Sequence, residues 1–263
     1  MSDMPPAAPP AAPRGETYAV ATVLGQQRWT DTLLSLRVKA DIEPFEPGQF
    51  AKLALAVDGE RVARAYSFVN APGGDEHEFY YSIVAGGPLS PRLARLVPGD
   101  QVEVTTRGNG YLVLSEVPDA GTLWMLATGT GIGPFLSMLA APEVWRRFPR
   151  VVLVHAVRHG QDLSYAARIA SVATGRGEAF RFVPVLSRDD GPPAGALRGR
   201  IPAAILDGRL AAAAGMPLDA ASSHVMLCGN PAMVADATEA LKSMGMRRHR
   251  RRAPGHITAE NYW

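Results

Sequence analysis

The residues of this chain that could do chemistry sit in short segments, each beside an apolar run. Arg64-Ala65-Tyr66-Ser67 places a guanidinium, an aromatic ring and a hydroxyl side by side. A guanidinium can hold a diphosphate through two parallel hydrogen bonds, a ring can cover a flat heterocycle or a ribose, and a hydroxyl can bond a ring edge. Alternation along a strand puts Arg64 and Tyr66 on one face and Ser67 on the other. A plain surface strand with an exposed arginine would read the same way. Next, Gly86-Gly87-Pro88-Leu89-Ser90-Pro91 offers glycines for close backbone approach, with Ser90 as the cap of a helix starting at Pro91. Amide groups at a helix start suit an anion, although an ordinary capped helix has the same signature.

Thr128-Gly129-Thr130-Gly131-Ile132-Gly133-Pro134 follows the apolar run Leu123–Thr128 and precedes the helical pattern Phe135–Leu139. Strand, tight glycine turn and helix start are the context of a phosphate-binding loop, though the spacing is not a strict G-x-G-x-x-G. Arg158 and Arg188 end two later apolar runs, and Arg200 lies a little further on. In an open α/β sheet such side chains reach one crevice beyond the strand ends, where clustered arginines suit a 2′-phosphate. Solvated loop arginines are the plainer reading of each taken singly. Cys228-Gly229-Asn230-Pro231 closes the last apolar run. Its small residues allow a ring to approach the backbone, while a single cysteine is more often a small core filler. The final residues, Gly255 to Trp263, finish on two aromatics, which suggests docking on something flat or simple tethering. Arg247 to Arg252 is strongly basic: a solvated helix end or a dock for an acidic partner.

These segments need rigid elements to hold them. From Tyr18 to about Leu114, short alternating runs are broken by Pro47-Gly48, Asp58-Gly59, Gly73-Gly74 and Pro98-Gly99, the texture of an antiparallel sandwich or barrel. The expected strands are Tyr18–Leu24, Thr32–Val38, Gln49–Ala56, Ala65–Val69, Phe79–Val84 and Gln101–Thr105, with one helix over Ser90–Leu96. After Pro118–Gly121 the runs become continuously apolar: Leu123–Thr128, Val151–Val157, Phe180–Ser187 and Val225–Cys228. They alternate with helical stretches, as in a parallel sheet covered on both faces. The expected domains are therefore 16–117 and 118–263, with residues 1–15, rich in Pro and Ala, as a disordered leader.

At 263 residues, with 47% hydrophobic and 20% charged residues, the chain has material for two ordinary globular cores. A net charge of +2 argues against general nucleic-acid binding. One cysteine excludes an intrachain disulfide, a multi-cysteine metal site and an iron–sulfur cluster of the chain's own. No run approaches the ~20 apolar residues of a membrane span, and no signal peptide is visible, so the cytoplasm is the expected compartment.

Taken in order, Arg64-Ala65-Tyr66-Ser67, Leu123–Gly133, His224–Pro231 and the tail from Pro254 to Trp263 resemble the bacterial ferredoxin/flavodoxin–NADP reductases, in particular the enterobacterial type that ends in Tyr-Trp. The resemblance implies an N-terminal antiparallel Greek-key β-barrel for FAD and a C-terminal Rossmann-like α/β domain for NADP. It implies FAD contacts from Arg64, Ala65, Tyr66, Ser67, Tyr80, Pro88, Leu89, Ser90 and Thr130, with Tyr262 and Trp263 completing the flavin site. Position 88 is proline where the resemblance implies lysine. NADP(H) contacts are implied for Val157, Arg158, Ser187, Arg188 and Arg200, with Asn230, Pro231 and Ala232 near the nicotinamide half. Ser67, Cys228 and Glu260 would surround the reacting atoms. The implied activity is hydride transfer between NADP(H) and FAD and single-electron exchange with ferredoxin or flavodoxin, by a monomer with no metal, nucleic-acid or membrane partner. An NADPH-dependent flavin reductase, an oxygenase reductase component and a non-catalytic redox-sensing module are the competing readings.

Overall fold

The computed structural model describes residues 16–189 and 195–261. The leader over 1–15 and the terminal Tyr262 and Trp263 lie outside the described residues. Strands β1 (Tyr18–Arg28) and β2 (Leu33–Lys39) form one hairpin and β3 (Phe50–Val57) and β4 (Glu60–Ser67) another. They are followed by β5 (Glu76–Ser82), the single-turn helix α1 (Ser90–Leu93) and β6 (Gln101–Thr105). The antiparallel order is β4-β3-β6-β1-β2-β5. Its two ends meet through an antiparallel bridge, Phe68 to Phe79, and a 2.9 Å bond from Val69 N–H to Glu78 C=O, which curls the sheet into the Greek-key barrel. Inward residues such as Ala21, Val23, Leu36, Leu53, Phe68, Phe79 and Val104 fill it.

Two elements differ from those expected from the sequence. β4 begins at Glu60, not Ala65, because Asp58 and Gly59 both take positive φ (52° and 85°), the geometry of a tight hairpin turn that pairs the whole of 60–67 with β3. The helix expected over Ser90–Leu96 is one turn long. Ser90 does not cap it: its Oγ accepts the Val84 N–H at 2.9 Å instead. Beyond Leu93 the bonds tighten to three-residue spacing, Arg95 to Arg92 and Leu96 to Leu93, and Pro98 follows.

The second half begins with β7 (Thr122–Thr128), a 3-10 turn over Gly129–Ile132, and helices α2 (Gly133–Ala140) and α3 (Pro142–Arg147). Then come β8 (Arg150–Val157), α4 (Ala166–Arg176), β9 (Phe180–Leu186), the short β10 (Leu197–Arg198), α5 (Ile201–Leu206), α6 (Arg209–Ala214), β11 (Ser223–Gly229), α7 (Pro231–Ser243) and β12 (Ile257–Asn261). All neighbours are parallel, in the order β10-β9-β8-β7-β11-β12. Alternation splits the buried strands between two cores. Leu123, Met125 and Leu153 pack with Phe135 and Ile169, whereas Trp124, Leu126 and Val152 pack with Ile205, Val234 and Leu241. This is the doubly covered Rossmann-like sheet. Strand order reverses between β7 and β11, the switch point where such sheets bind ligands.

The backbones at that switch interlock. A Cβ on Gly131 would lie 2.6 Å from the Cys228 carbonyl oxygen, and one on Gly229, whose φ is +134°, only 2.2 Å from Thr128 Oγ1. Thr128 Oγ1 in turn accepts the Asn230 N–H at 2.8 Å. Gly131→Ala is therefore expected to lower the unfolding free energy by about 1–3 kcal/mol, the usual cost of forcing atoms into a packed site. Denaturant midpoints of parent and variant check this; an unchanged midpoint would contradict the close approach.

Candidate active site

The free edge of β4, the end of β5 and the loop carrying α1 enclose a cleft of about 680 Å³. Arg64, Ala65, Tyr66, Ser67, Tyr80, Pro88, Leu89, Ser90 and Thr130 all border it. Arg64, Tyr66 and Ser67 share this cleft despite strand alternation, because β4 ends the sheet order and meets β5 only beyond Ser67, so the cleft wraps the edge of β4. Tyr66 and Tyr81 meet edge to face with centroids 5.9 Å apart, and burial pushes both phenols well up, Tyr66 to about 12. These rings are neutral flat surfaces at physiological pH, not acids.

Glu260 and Asn261 form another wall. They belong to β12, the strand absent from the sequence expectations; the alternation of Ile257, Thr258 and Ala259 before Glu260 was its available signal. Parallel register sets Glu260 beside Cys228 on β11. Cys228 is fully buried and borders neither cleft through its surface, so of the three residues expected around the reacting atoms, Ser67 and Glu260 line the cleft and Cys228 underlies it. Ser67 also packs toward the start of α2: a Cβ on Gly133 would stand 3.8 Å from the Ser67 Cβ.

A second cleft, of about 660 Å³, opens over the carboxyl ends of β7, β8, β9 and β11. Val157, Arg158, Ser187, Arg188, Arg200, Asn230 and Ala232 border it; Pro231, the first residue of α7, does not. Arg200 borders it and Arg198 does not. The Asn230 side chain accepts the N–H groups of Ala232 and Met233, so its amide oxygen serves the helix α7 as an N-cap. Sequence reasoning missed Thr32 and Leu33 from the barrel, and Asp162 and Asp236 from the sheet domain, all of which also line this cleft. Ser82 and Thr130 border both clefts, so the two spaces meet at the switch point.

His155 supports this meeting place from below. It is completely buried, its Nε2–H donates to the Gly129 carbonyl at 2.9 Å, and burial pushes its pKa down to about 4, so it is neutral.

The sheet domain matches the oxidoreductase NAD-binding domain family over residues 125–239. A flavodoxin/ferredoxin–NADP reductase of Shigella flexneri is 52% identical over 247 residues, covering 94% of this chain and 99% of that one. The chain belongs to the flavodoxin/ferredoxin–NADP reductase family. The Escherichia coli K12 reductase is 51% identical with the same coverage. Among solved structures, the Neisseria gonorrhoeae ferredoxin NADP+ reductase with bound FAD and NADP superposes with a TM-score of 0.88 at 34% identity, covering 94% of this chain and 99% of that one. Within this reductase fold, no helix among the described residues is long and apolar enough to cross a membrane, and no described cluster of His, Cys, Asp and Glu could hold a metal.

Glu260 is the one carboxyl of the reductase site with a large shift. Burial alone pushes it up to about 7, and its Oε2 has no hydrogen-bond partner among the described residues. The unfolded chain loses this proton near pH 4.5, while the folded chain holds it to about 7. Glu260 therefore costs nothing below pH 4.5 and destabilises the fold progressively as pH rises through that window. In nucleotide-free protein, Glu260→Gln should gain on the parent by on the order of 3 kcal/mol between those limits. Unfolding free energies measured at both ends of the window would refute the shift if the difference between the two proteins stayed constant.

Proposed function

We propose that this chain binds FAD in the barrel cleft and NADP(H) in the sheet cleft, transfers hydride between them where the clefts meet, and exchanges single electrons with ferredoxin or flavodoxin. The observation that carries this reading is the sharing of Ser82 and Thr130 by two clefts, each large enough for a nucleotide. A bound flavin would supply the chemistry, taking two electrons as hydride and returning them one at a time. The donor set suits it: Arg64 for the diphosphate, Tyr66 and Tyr80 as flat apolar walls, Ser67 as a hydrogen-bonding edge, and Leu89 and Ser90 on the loop opposite. Tyr262 and Trp263 would complete that site, and Pro88, unlike a lysine, adds no charge to it.

The chain's own residues orient and shield the exchange. Arg158, Arg188 and Arg200 border the sheet cleft without an ion pair among the described residues, which leaves them for a 2′-phosphate. Ser187 and Val157 flank them, and Asn230, Pro231 and Ala232 begin α7 where the nicotinamide half would run. Glu260, largely buried and titrating near neutrality, can hold or release a proton at its carboxyl beside the reacting rings. Ser67 positions the ring edge across from it, and Cys228, buried beside Glu260 in the parallel register, backs that carboxyl from within the sheet. Arg247, Arg248, Arg250 and Arg252 are exposed, whereas Arg251 is paired with Glu116. This basic surface would steer an acidic carrier.

The purified protein should be yellow, and NADPH should bleach it under anaerobic conditions far faster than NADH. A colourless protein that fails to take up added FAD would refute the proposal. Turnover with ferredoxin or flavodoxin well above turnover with free flavin separates a carrier reductase from a flavin reductase. Reversing charge at Arg248, Arg250 and Arg252 should slow carrier reduction and flatten its salt dependence while sparing a small artificial acceptor. Equal loss with both acceptors would argue against docking there.

A further inference from the structure

We propose that His159 and Asp189 form a clamp that fixes the spacing of Arg158 and Arg188, and that this clamp sets how strongly the chain discriminates NADPH from NADH. The inference rests on the assignment of those two arginines to the 2′-phosphate.

Strands β8 and β9 are parallel neighbours, and their ladder continues past their ends: Ser187 N–H donates to Val157 C=O at 3.1 Å and Arg188 N–H to Arg158 C=O at 2.9 Å. Each arginine is then followed by a clamp residue. Asp189 Oδ1 accepts from His159 Nδ1 at 2.9 Å, and its Oδ2 accepts the Gly160 N–H at 2.7 Å. The other loop is braced from its own side, where Asp162 Oδ2 accepts the His159 N–H at 3.1 Å. One carboxylate thus joins the two loops directly beyond the arginines they carry.

The arrangement has an electrostatic logic. Arg158 and Arg188 are both exposed, border one cleft and carry like charges, so a tie beyond the last ladder bond keeps the loops that follow them from splaying. Asp189 is the nearest acidic residue in sequence to Arg188, yet both of its oxygens are engaged by His159 and Gly160. It draws the loops together without neutralising the guanidiniums. A neutral imidazole with its proton on Nδ1 suffices as the donor. The hydrogen bond from His159, followed by that from Gly160, holds the Asp189 carboxyl below the usual carboxylate range, so the acceptor stays charged. The pair is partly exposed, with side-chain exposures of 44% and 27%, so its contribution to overall stability is small. Its effect falls on the geometry of the arginines. His159 and Asp189 are positioning residues, and neither is placed against the reacting atoms.

The test uses FAD-loaded protein and two readouts: calorimetric affinity for 2′-phospho-AMP, and the ratio of kcat/KM for NADPH to that for NADH. Asp189→Asn and His159→Phe should each weaken 2′-phospho-AMP binding by about fivefold. Each should lower the NADPH to NADH ratio to match, through KM and not kcat, and the double variant should be no worse than either single one. His159→Asn, which keeps a side-chain N–H near the same place, should recover most of the loss. Affinity within about 1.5-fold of the parent, or equal losses with NADPH and NADH, would overturn the clamp. Arg158→Ala and Arg188→Ala serve as controls. If they weaken 2′-phospho-AMP and the clamp variants do not, only the clamp fails; if they leave it unchanged, the arginine assignment fails and the clamp with it.

Discussion

The two clefts can act together only because the barrel and the sheet domain are locked at one angle, and a single seam of aromatic and charged contacts does the locking. Tyr165, held at an αL backbone (φ 63°), donates its hydroxyl to Glu78 on β5 at 2.7 Å and packs between Trp29 and Tyr80. Tyr80 reaches back to Ser164 with a 2.8 Å hydrogen bond. Arg168 spans the joint, donating to the carbonyls of Val69 in the barrel and Leu136 in the sheet domain. Beneath these polar ties the apolar core is continuous, since Leu33, Val69 and Tyr80 belong to the same buried cluster as Leu123 and Phe135. Inter-domain surfaces that are polar and wet permit motion, whereas a shared apolar core does not. The seam also explains why Tyr80 can border the barrel cleft while almost fully buried.

The charge distribution divides along the same seam. In the sheet cleft, Arg158, Arg188 and Arg200 stand without described counter-ions, while Asp189 is engaged by the His159 side chain and the Gly160 N–H, and Asp162 by the His159 N–H. In the barrel cleft, away from Arg64, burial favours the neutral forms, raising Tyr66 and Tyr80 to about 12 and Glu260 of β12 to about 7. A cleft that suppresses charge suits a ring that must change its electron count, and one that leaves cations exposed suits a phosphate.

Much of this was legible in the sequence for specific reasons. Glycine-rich Gly129–Gly133 between an apolar run and a helical pattern announced the switch loop, and the arginines ending two apolar runs announced the crevice, because both signals are local and tied to strand ends. What escaped was non-local. Ser90 looked like a helix cap until the backbone of Val84 came within its reach, a contact set by the loop's fold-back. β12 is only five residues long and gains its identity from pairing with β11, far away in the chain. Thr32 and Leu33, which the barrel contributes to the sheet cleft, carry no motif at all and reach it only through the packing of the two domains.

The close backbone contact of Gly131 with Cys228 and of Gly229 with Thr128 has a consequence for how such a protein can change. Where the clefts converge, Ser82 and Thr130 border both, and the glycines of the interlocked backbone leave no room for a side chain, so mutation has little vocabulary there. The outer ends are different: arginines on loops at one end and the basic surface beyond α7 at the other are built from side chains on exposed backbone. On the proposed assignments, exchanging these peripheral side chains would alter which nucleotide enters and which carrier docks. The geometry of the central encounter resists such exchange, because a Cβ at Gly131 or Gly229 would run into neighbouring main chain.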